Sequence, residues 1–421
     1  MSATARPSIF APFQVRSFRF QWPADLLTSW GFEMEGLILG WYILVETNSV
    51  LLLTIFASLQ YLGTLIAPVY GMAGDRLGHR NVLCAMRVVY ASLATTLMSL
   101  AFAGVLTPAY VFAIASLSGL VRPSDLAMRN ALVAETIPTD RLMSAMGLAR
   151  TTADSARIAG SIAGAGLFAA LGMGPAYVVI ACFYTSGCLL TLGVGGPRGK
   201  PYFAPGPSGA VRRPSMLRDL REGLAYVWDS PASLAAMWLA FLVNLTAFPL
   251  SNGLLPYVAR EIYHVDQTGL GYLVASFACG ALLGSICVSL TARSLRPARM
   301  MIVFALVWYT ILLGFVQMPG PRGGGAMLAL AGFAQSLSMI PMAVMLLHGA
   351  TAQFRGRVMG VRMLAVYGLP LGLLAAGALI DAMGFAATAT LFCCVGLGVT
   401  VLIAMRWRAD LWPLRAAANA R

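Results

Sequence analysis

Long apolar runs recur along nearly the whole chain, and they restrict the possible folds more than any motif does. About twelve can be marked, near residues 18–45, 50–73, 82–104, 109–135, 142–171, 175–196, 231–257, 268–291, 300–318, 326–350, 358–382 and 385–405. Each is long enough to cross a hydrocarbon layer of about 30 Å as a helix. A transmembrane β-barrel would need shorter segments of alternating polarity, and these runs are continuous, so helices are expected. Composition agrees. Of the 421 residues 59% are hydrophobic and only 11% charged, which is too little polar surface to clothe a water-soluble protein of this size.

The net charge is +13, and its placement carries more information than its size. Arg76 and Arg80, Arg141, the basic stretch 198–221, Arg293, Arg296 and Arg299, Arg355 and Arg357, and Arg406 and Arg408 fall in loops on one side of the expected spans. On the other side stand only Arg260 and Arg322. Positive loops stay in the cytoplasm, so both termini are expected there, in a bacterial inner membrane. This accounts for the charge without nucleic acid. The opening segment lacks the short apolar core and cleavage site of a signal peptide. The seven cysteines are scattered through apolar runs with no CxxC pair and read as packing residues.

One connection is long. "GPRGKPYFAPGPSGAVRRPS" (196–215) is rich in Pro, Gly and Arg and is followed by an amphipathic pattern at Leu217, Leu220, Leu224 and Val227. The expected organisation is a cytoplasmic segment 1–17, a bundle 18–196, a cytoplasmic linker 197–230 with a helix on the inner leaflet, a bundle 231–405 and a tail 406–421. The halves echo each other: "DRLMSAMGLART" opens the fifth span and "GRVMGVRMLAVY" the eleventh. Paired repeats of this kind surround a midplane cavity in transporters that rock between two openings. No nucleotide-binding loop of the GxxxxGK[ST] type and no metal-ligand cluster is visible. Neither catalysis nor a cofactor or bound metal is therefore expected.

Charges inside the apolar runs need a reason, because each costs roughly 2.5–3.5 kcal/mol near a helix centre. The first span has Asp25, Glu33 and Glu35, the fourth Arg122, Asp125 and Arg129, and the fifth Arg150, Asp154 and Arg157. At 100° per residue the fourth-span set falls within about 60° of arc, and so does the fifth-span set. Each is an Arg–Asp–Arg stripe, and the first-span acids are the natural partners. Glu35 is turned roughly 160° from Glu33, so one faces a cavity and the other a neighbouring helix. A buried carboxyl near an arginine can bind and release a proton as its surroundings change. Glu33 or Glu35 is the expected proton carrier, with Asp25 beside it and Arg122 as switching partner. The alternative is a static ion-pair network joining spans one, four and five.

The second half is sparsely polar. Asn244, Asn252, Tyr257, Gln335 and Tyr367, with Trp30 from the first half, are candidate contacts for an amphipathic substrate. Pro249 and Pro256 are expected to bend the seventh span.

The turn "YGMAGDRLGHRNVL" (70–83) supplies a resemblance. Gly71, Asp75, Arg76, Gly78 and Arg80 match the loop 2–3 signature of the major facilitator superfamily, G-x-x-x-D-R-x-G-R-R/K, with His79 in place of one arginine. "SWGFEMEGLILGWYILVETNS", "LVAETIPTDRLMSAMGL", "LRDLREGLAYV" and "FRGRVMG" resemble the superfamily's drug and siderophore exporter branch, which includes enterobactin exporters and macrolide efflux pumps. Gly147, Gly160 and Gly164 keep three positions of the fifth-span antiporter motif. The resemblance implies an all-α membrane protein of twelve transmembrane helices in two pseudo-symmetric six-helix bundles. Gly71 would let two helices approach closely and Gly78 permit the reversal. The resemblance also implies a cytoplasmic gate in which Asp75 faces the start of the eleventh span, a contact that holds the cytoplasmic side closed and breaks when the halves rock. The expected activity is proton-coupled export of a drug, siderophore or metabolite by a monomer whose partners are that small molecule, protons and lipid. Import of an organic anion is the alternative, and lipid flipping a more distant one.

Overall fold

The computed structural model describes residues 11–64, 66–195, 216–291, 296–349 and 355–412. Residues 197–215 of the linker expected at 197–230, the first ten residues and the end of the tail lie outside them. Every long element is helical: α1 (Arg16–Thr47), α2 (Val50–Leu59), α3 (Ala67–Leu77), α4 (His79–Phe102), α5 (Pro108–Thr136), α6 (Thr139–Leu171), α7 (Met173–Leu192) and α8 (Met216–Trp228). They continue as α9 (Pro231–Phe248), the single turn α10 (Leu255–Tyr257), α11 (Gln267–Thr291), α12 (Pro297–Val316), α13 (Pro321–Gly349), α14 (Arg355–Ala365), α15 (Gly368–Met383), α16 (Phe385–Arg406) and α17 (Arg408–Leu411).

Nine spans among the described residues are long and apolar enough to cross a bilayer. Helices α1 and α6 are longer still, at 32 and 33 residues, and carry the charged residues of the first and fifth spans. The broken pair α2–α3 completes a set consistent with twelve spans. In hydrocarbon each backbone polar group must be satisfied within its own element. The sequence provides for this at helix starts, where Pro108, Pro231, Pro297 and Pro321 stand in a first turn that needs no N–H partner. Serine and threonine hydroxyls along the helices are returned to carbonyls one turn back, as at Thr28, Ser58, Thr246 and Thr400.

Three spans depart from the expected single helices. The run 50–73 breaks after Leu59, passes through a 3-10 turn at Leu62–Thr64 and resumes at Ala67. Pro68 cannot donate back to Thr64, and Gly63 and Gly119 bring two backbones into direct contact there. The run 358–382 breaks between Ala365 and Gly368, where Val366, Tyr367 and Leu369 donate three residues back instead of four. Pro370 lacks the N–H that would have met Val366. The seventh span reaches Ile262, and two π-helical segments, Pro249–Gly253 and Val258–Ile262, flank α10. The bends expected at Pro249 and Pro256 are thus π-type insertions.

The chain divides into two compact units. The first holds α1 and α3–α7, and the second holds α2 up to Ser58 and α8–α17. In the first, α1 packs on α5, α6 and α7, and α4 on α7. In the second, α13 packs on α11 and α12, and α9 on α15 and α16. Here Gly280 and Gly332 set α11 directly on α13, since a Cβ on either would meet the other helix's backbone. Helix α8 packs on α14 and α9. Its Val227 is buried while Leu224 and Trp228 are exposed. The side chains of Leu217 and Leu220 lie outside the described set.

Candidate functional site

The buried charged side chains of the first unit collect along one stripe of α1. Asp25, Thr28, Phe32 and Glu35 fall within about 80° of arc. Asp25, Thr28 and Glu35 are at most 8% exposed. Two clusters form on this stripe, separated by aromatic rings.

The first cluster is a buried quartet of two carboxylates and two guanidiniums. Arg87 on α4 donates to Asp25 Oδ1, to Thr191 Oγ1 and, at 3.1 Å, to the Gly187 carbonyl of α7. Arg129 on α5 pairs with Asp125 Oδ2, and its Nε lies 3.7 Å from Asp25 Oδ1. Its Nη1 reaches the Asp25 carbonyl at 3.1 Å and Ser29 Oγ at 2.7 Å. Gln21 donates to the Arg129 carbonyl at 3.0 Å. Summed formally, the quartet is neutral, which makes its burial tolerable. It ties spans one, three and four together, whereas the expected network joined spans one, four and five. Arg87 is the residue that sequence reasoning missed. It is fully buried, and its signal was an arginine inside the apolar run 82–104 whose neighbours offer no partner.

The second cluster is built on Glu35. Tyr184 of α7 donates its hydroxyl to Glu35 Oε2 at 2.8 Å. Phe32 lies one turn away, its ring 4.9 Å from that of Tyr90 and 5.7 Å from that of Tyr184. The Arg122 guanidinium covers Phe32 at 4.3 Å, and Arg129 approaches the same ring at 5.7 Å. Arg122 donates to Gln60 Oε1 at 2.8 Å and to the Phe32 carbonyl at 2.9 Å. It forms no ion pair with a carboxylate among the described residues, yet it is close enough to act electrostatically on Glu35. Glu33 points elsewhere. It is half-buried, and its Cβ lies 3.1 Å from where a Cβ on Gly160 of α6 would be. Tyr61 is within electrostatic reach of Glu33, Arg157 and Arg122 together.

The fifth-span stripe does not join the quartet. Arg150 and Asp154 pair with each other at 3.2 Å, one turn apart on α6, with the arginine largely exposed. Gly160 and Gly164 set α6 against Glu33 and Met34 of α1, whereas a Cβ at Gly147 would meet nothing within 4 Å. In the turn 71–80, Gly78 has φ +86°, the left-handed region that its reversal needs. The close approach is at Gly74, under the His79 ring, while Gly71 faces open space. His79 Nδ1 lies 2.6 Å from Glu135 Oε1, Arg80 donates to the Val194 carbonyl at 3.2 Å, and Arg76 is exposed. The Asp75 side chain lies outside the described set.

The candidate substrate contacts are dispersed. Trp30 meets Phe183 edge-on at 6.3 Å in the first unit. In the second, Asn244 donates to the Ala240 carbonyl at 2.8 Å, and Tyr257 lies 6.0 Å from Phe385. Asn252, Gln335 and Tyr367 are half-buried.

A helical membrane chain with paired six-span repeats, a DRxGxR turn and a buried charge cluster invites comparison with known transporters. The family model for the Major Facilitator Superfamily matches residues 22–370. The chain belongs to the major facilitator superfamily. Among curated relatives, the multidrug efflux pump Tap of Mycolicibacterium fortuitum is 24% identical over 358 residues, 83% of this chain and 85% of Tap. Among solved structures, a bacterial homologue of the human lysosomal transporter Spinster superposes with a TM-score of 0.68 at 12% identity, covering 94% of this chain and 96% of that one. The nucleoside transporter NupG gives 0.67 at 14% identity over 95% and 100% of the two chains. The human organic anion transporter MFSD10 gives 0.62 at 18% identity over 92% and 99%. At these identities the structures establish a shared major facilitator fold, and neither substrate nor direction follows from them.

Proposed function

We propose that this major facilitator exports an amphipathic organic molecule from the cytoplasm in exchange for protons, with Glu35 as the proton-binding group. The observation that carries the reading is the setting of Glu35: a carboxyl buried in a membrane unit, held by one hydroxyl, beside an arginine that is not committed to any carboxylate. A static structural acid would be matched by a full ion pair, as Asp25 is. Glu35 instead has a partner that serves it in either protonation state, because a phenol can donate to a carboxylate or accept from a carboxylic acid. Arg122 can swing between Gln60 and the glutamate, which makes it the switching partner. Glu33, on the opposite face against Gly160 of α6, is the second acidic group of the exchange.

The remaining assignments follow from this reading. The bundles 18–196 and 231–405 rock about the linker 197–230, and the turn 71–80 latches the cytoplasmic side through Asp75. Trp30, Asn244, Asn252, Tyr257, Gln335 and Tyr367 contact the substrate. The protein works as a monomer in a bacterial inner membrane, both termini in the cytoplasm, without catalysis. Efflux is favoured by the likeness to Tap. The uncommitted Arg122 supports a second reading, symport of an organic anion, in which the guanidinium binds the anion.

Inside-out vesicles separate the two. With an acid interior, the wild type is expected to accumulate an amphipathic cation such as ethidium, and Glu35→Gln to lose that accumulation while still binding the dye. Unchanged accumulation by both Glu33→Gln and Glu35→Gln removes the antiport reading. Movement of an organic anion together with protons in one direction identifies symport.

A further inference from the structure

Buried polar atoms without a hydrogen-bond partner are concentrated in the first unit, along the stripe of α1 that carries both clusters. The hydroxyls of Tyr90, Tyr177 and Ser124 and the Oδ1 of Asp125 are among them, and each of these residues is at most 2% exposed. One such atom costs about 1–3 kcal/mol. Several within one unit call for a polar occupant with two to four partners per molecule, which is water.

Their order in space is informative. Tyr177 and Tyr184 stand seven residues apart on one face of α7 and both lie within electrostatic reach of Glu35. The Tyr184 ring is 5.7 Å from that of Tyr90. Tyr90 in turn lies within electrostatic reach of Asp125 and Arg129, and Ser124, the neighbour of Asp125 in the chain, is buried on α5. Asp125 meets Arg129 through Oδ2, and its Oδ1 has no hydrogen-bond partner. The line runs beside about 15 Å of α1, from Glu35 back to Asp25. Every member can accept a proton, and every hydroxyl can also donate one.

We propose that these groups hold a file of waters that conducts a proton inside the first unit, between Glu35 and Asp125. The proposal rests on Glu35 being the proton-binding group. At one end the O–H bond of protonated Glu35 breaks as the neighbouring oxygen takes the proton. Each oxygen along the file gives up one proton as it receives another, and at the other end Asp125 Oδ1 gains an O–H bond. Nothing is oxidised or consumed; one positive charge moves from Glu35 to the quartet, which passes from neutral to a net charge of +1 until Asp125 gives the proton up again. The proton then need not share a path with the substrate.

The purified full-length protein can be followed by time-resolved infrared spectroscopy after a pH jump, with no substrate needed. The Glu35 carboxyl band is the one that Glu35→Gln removes. Tyr90→Phe and Ser124→Ala each delete an oxygen that no protein group uses, so both should fold with an unchanged melting midpoint and band amplitude. The proposal expects the band to respond at least about tenfold more slowly in both variants, with loss of internal-water O–H stretches. Wild-type rates in both variants overturn the water file while leaving Glu35 as the proton-binding group. A spectrum unchanged by Glu35→Gln overturns the underlying reading instead.

Discussion

At the scale of single residues, the quartet shows how charge is made tolerable in a membrane interior. Asp25 accepts from Arg87 and lies beside Arg129, which itself pairs with Asp125. Removing one partner leaves an uncompensated buried charge, which costs about 3–5 kcal/mol, whereas removing a matched pair costs far less. Arg87→Met is therefore expected to lower the melting midpoint strongly, and Asp25→Asn/Arg87→Met to recover much of that loss. Thermal unfolding of the two in detergent checks this. A double variant no better than the single one would mean that the quartet is not a charge-matched unit. The sequence announced Asp125 and Arg129 through their stripe and Asp25 as an acid of the first span. It did not announce Arg87, because a lone arginine shows no periodicity, and only packing reveals that α4 turns it towards Asp25.

At the scale of elements, the first unit depends on close helix crossings. Gly164 sits where a Cβ would lie 2.9 Å from Met34 Cα and 3.0 Å from its Cβ, while Gly166, half a turn on, faces open space. Gly164→Val should wedge α6 away from α1 and cost about 1–3 kcal/mol. Gly166→Ala should be neutral or slightly stabilising, because alanine favours the helix. The same pair of substitutions tests function. A wedge at Gly164 disturbs the α1–α6 contact beside Glu33 and is expected to reduce proton-coupled transport, and Gly166→Ala is expected to leave transport unchanged. Glycine spacing in the fifth span was visible in the sequence, but which glycines touch α1 was not, since Gly147 belongs to the same motif and meets nothing within 4 Å. The breaks in the second and eleventh spans were similarly hidden. Apolar runs look continuous through Pro68 and Pro370, and hydropathy is blind to a missing N–H.

At the scale of the whole molecule, the two units differ in chemistry. Among the described residues, every buried charged side chain, namely Asp25, Glu35, Arg87, Asp125 and Arg129, belongs to the first unit. Among the described residues, the acids of the second unit are exposed, as at Glu261 and Asp381, or half-buried, as at Glu222. On the proposed reading, proton handling falls to the first unit. Neutralising Glu261 and Asp381 is expected to leave the ratio of protons to substrate unchanged, whereas Glu35→Gln abolishes coupling. Substrate-induced pH changes in proteoliposomes measure both. Loss of coupling on neutralising either exposed acid would contradict the division.

The sequence by itself determined that this chain is a bundle of membrane helices of the major facilitator type. Apolar length and the turn at 70–83 are local properties that each segment declares alone. Tertiary structure decided which charges meet. Glu33 and Glu35 are chemically the same and two residues apart, and only the packing of α6 on one face of α1 and α7 on the other gives Glu35 the hydroxyl of Tyr184 and Glu33 the backbone of Gly160. A side chain's partners in a low-dielectric interior fix its charge and its role, and those partners come from helices that the sequence lists in order but does not place.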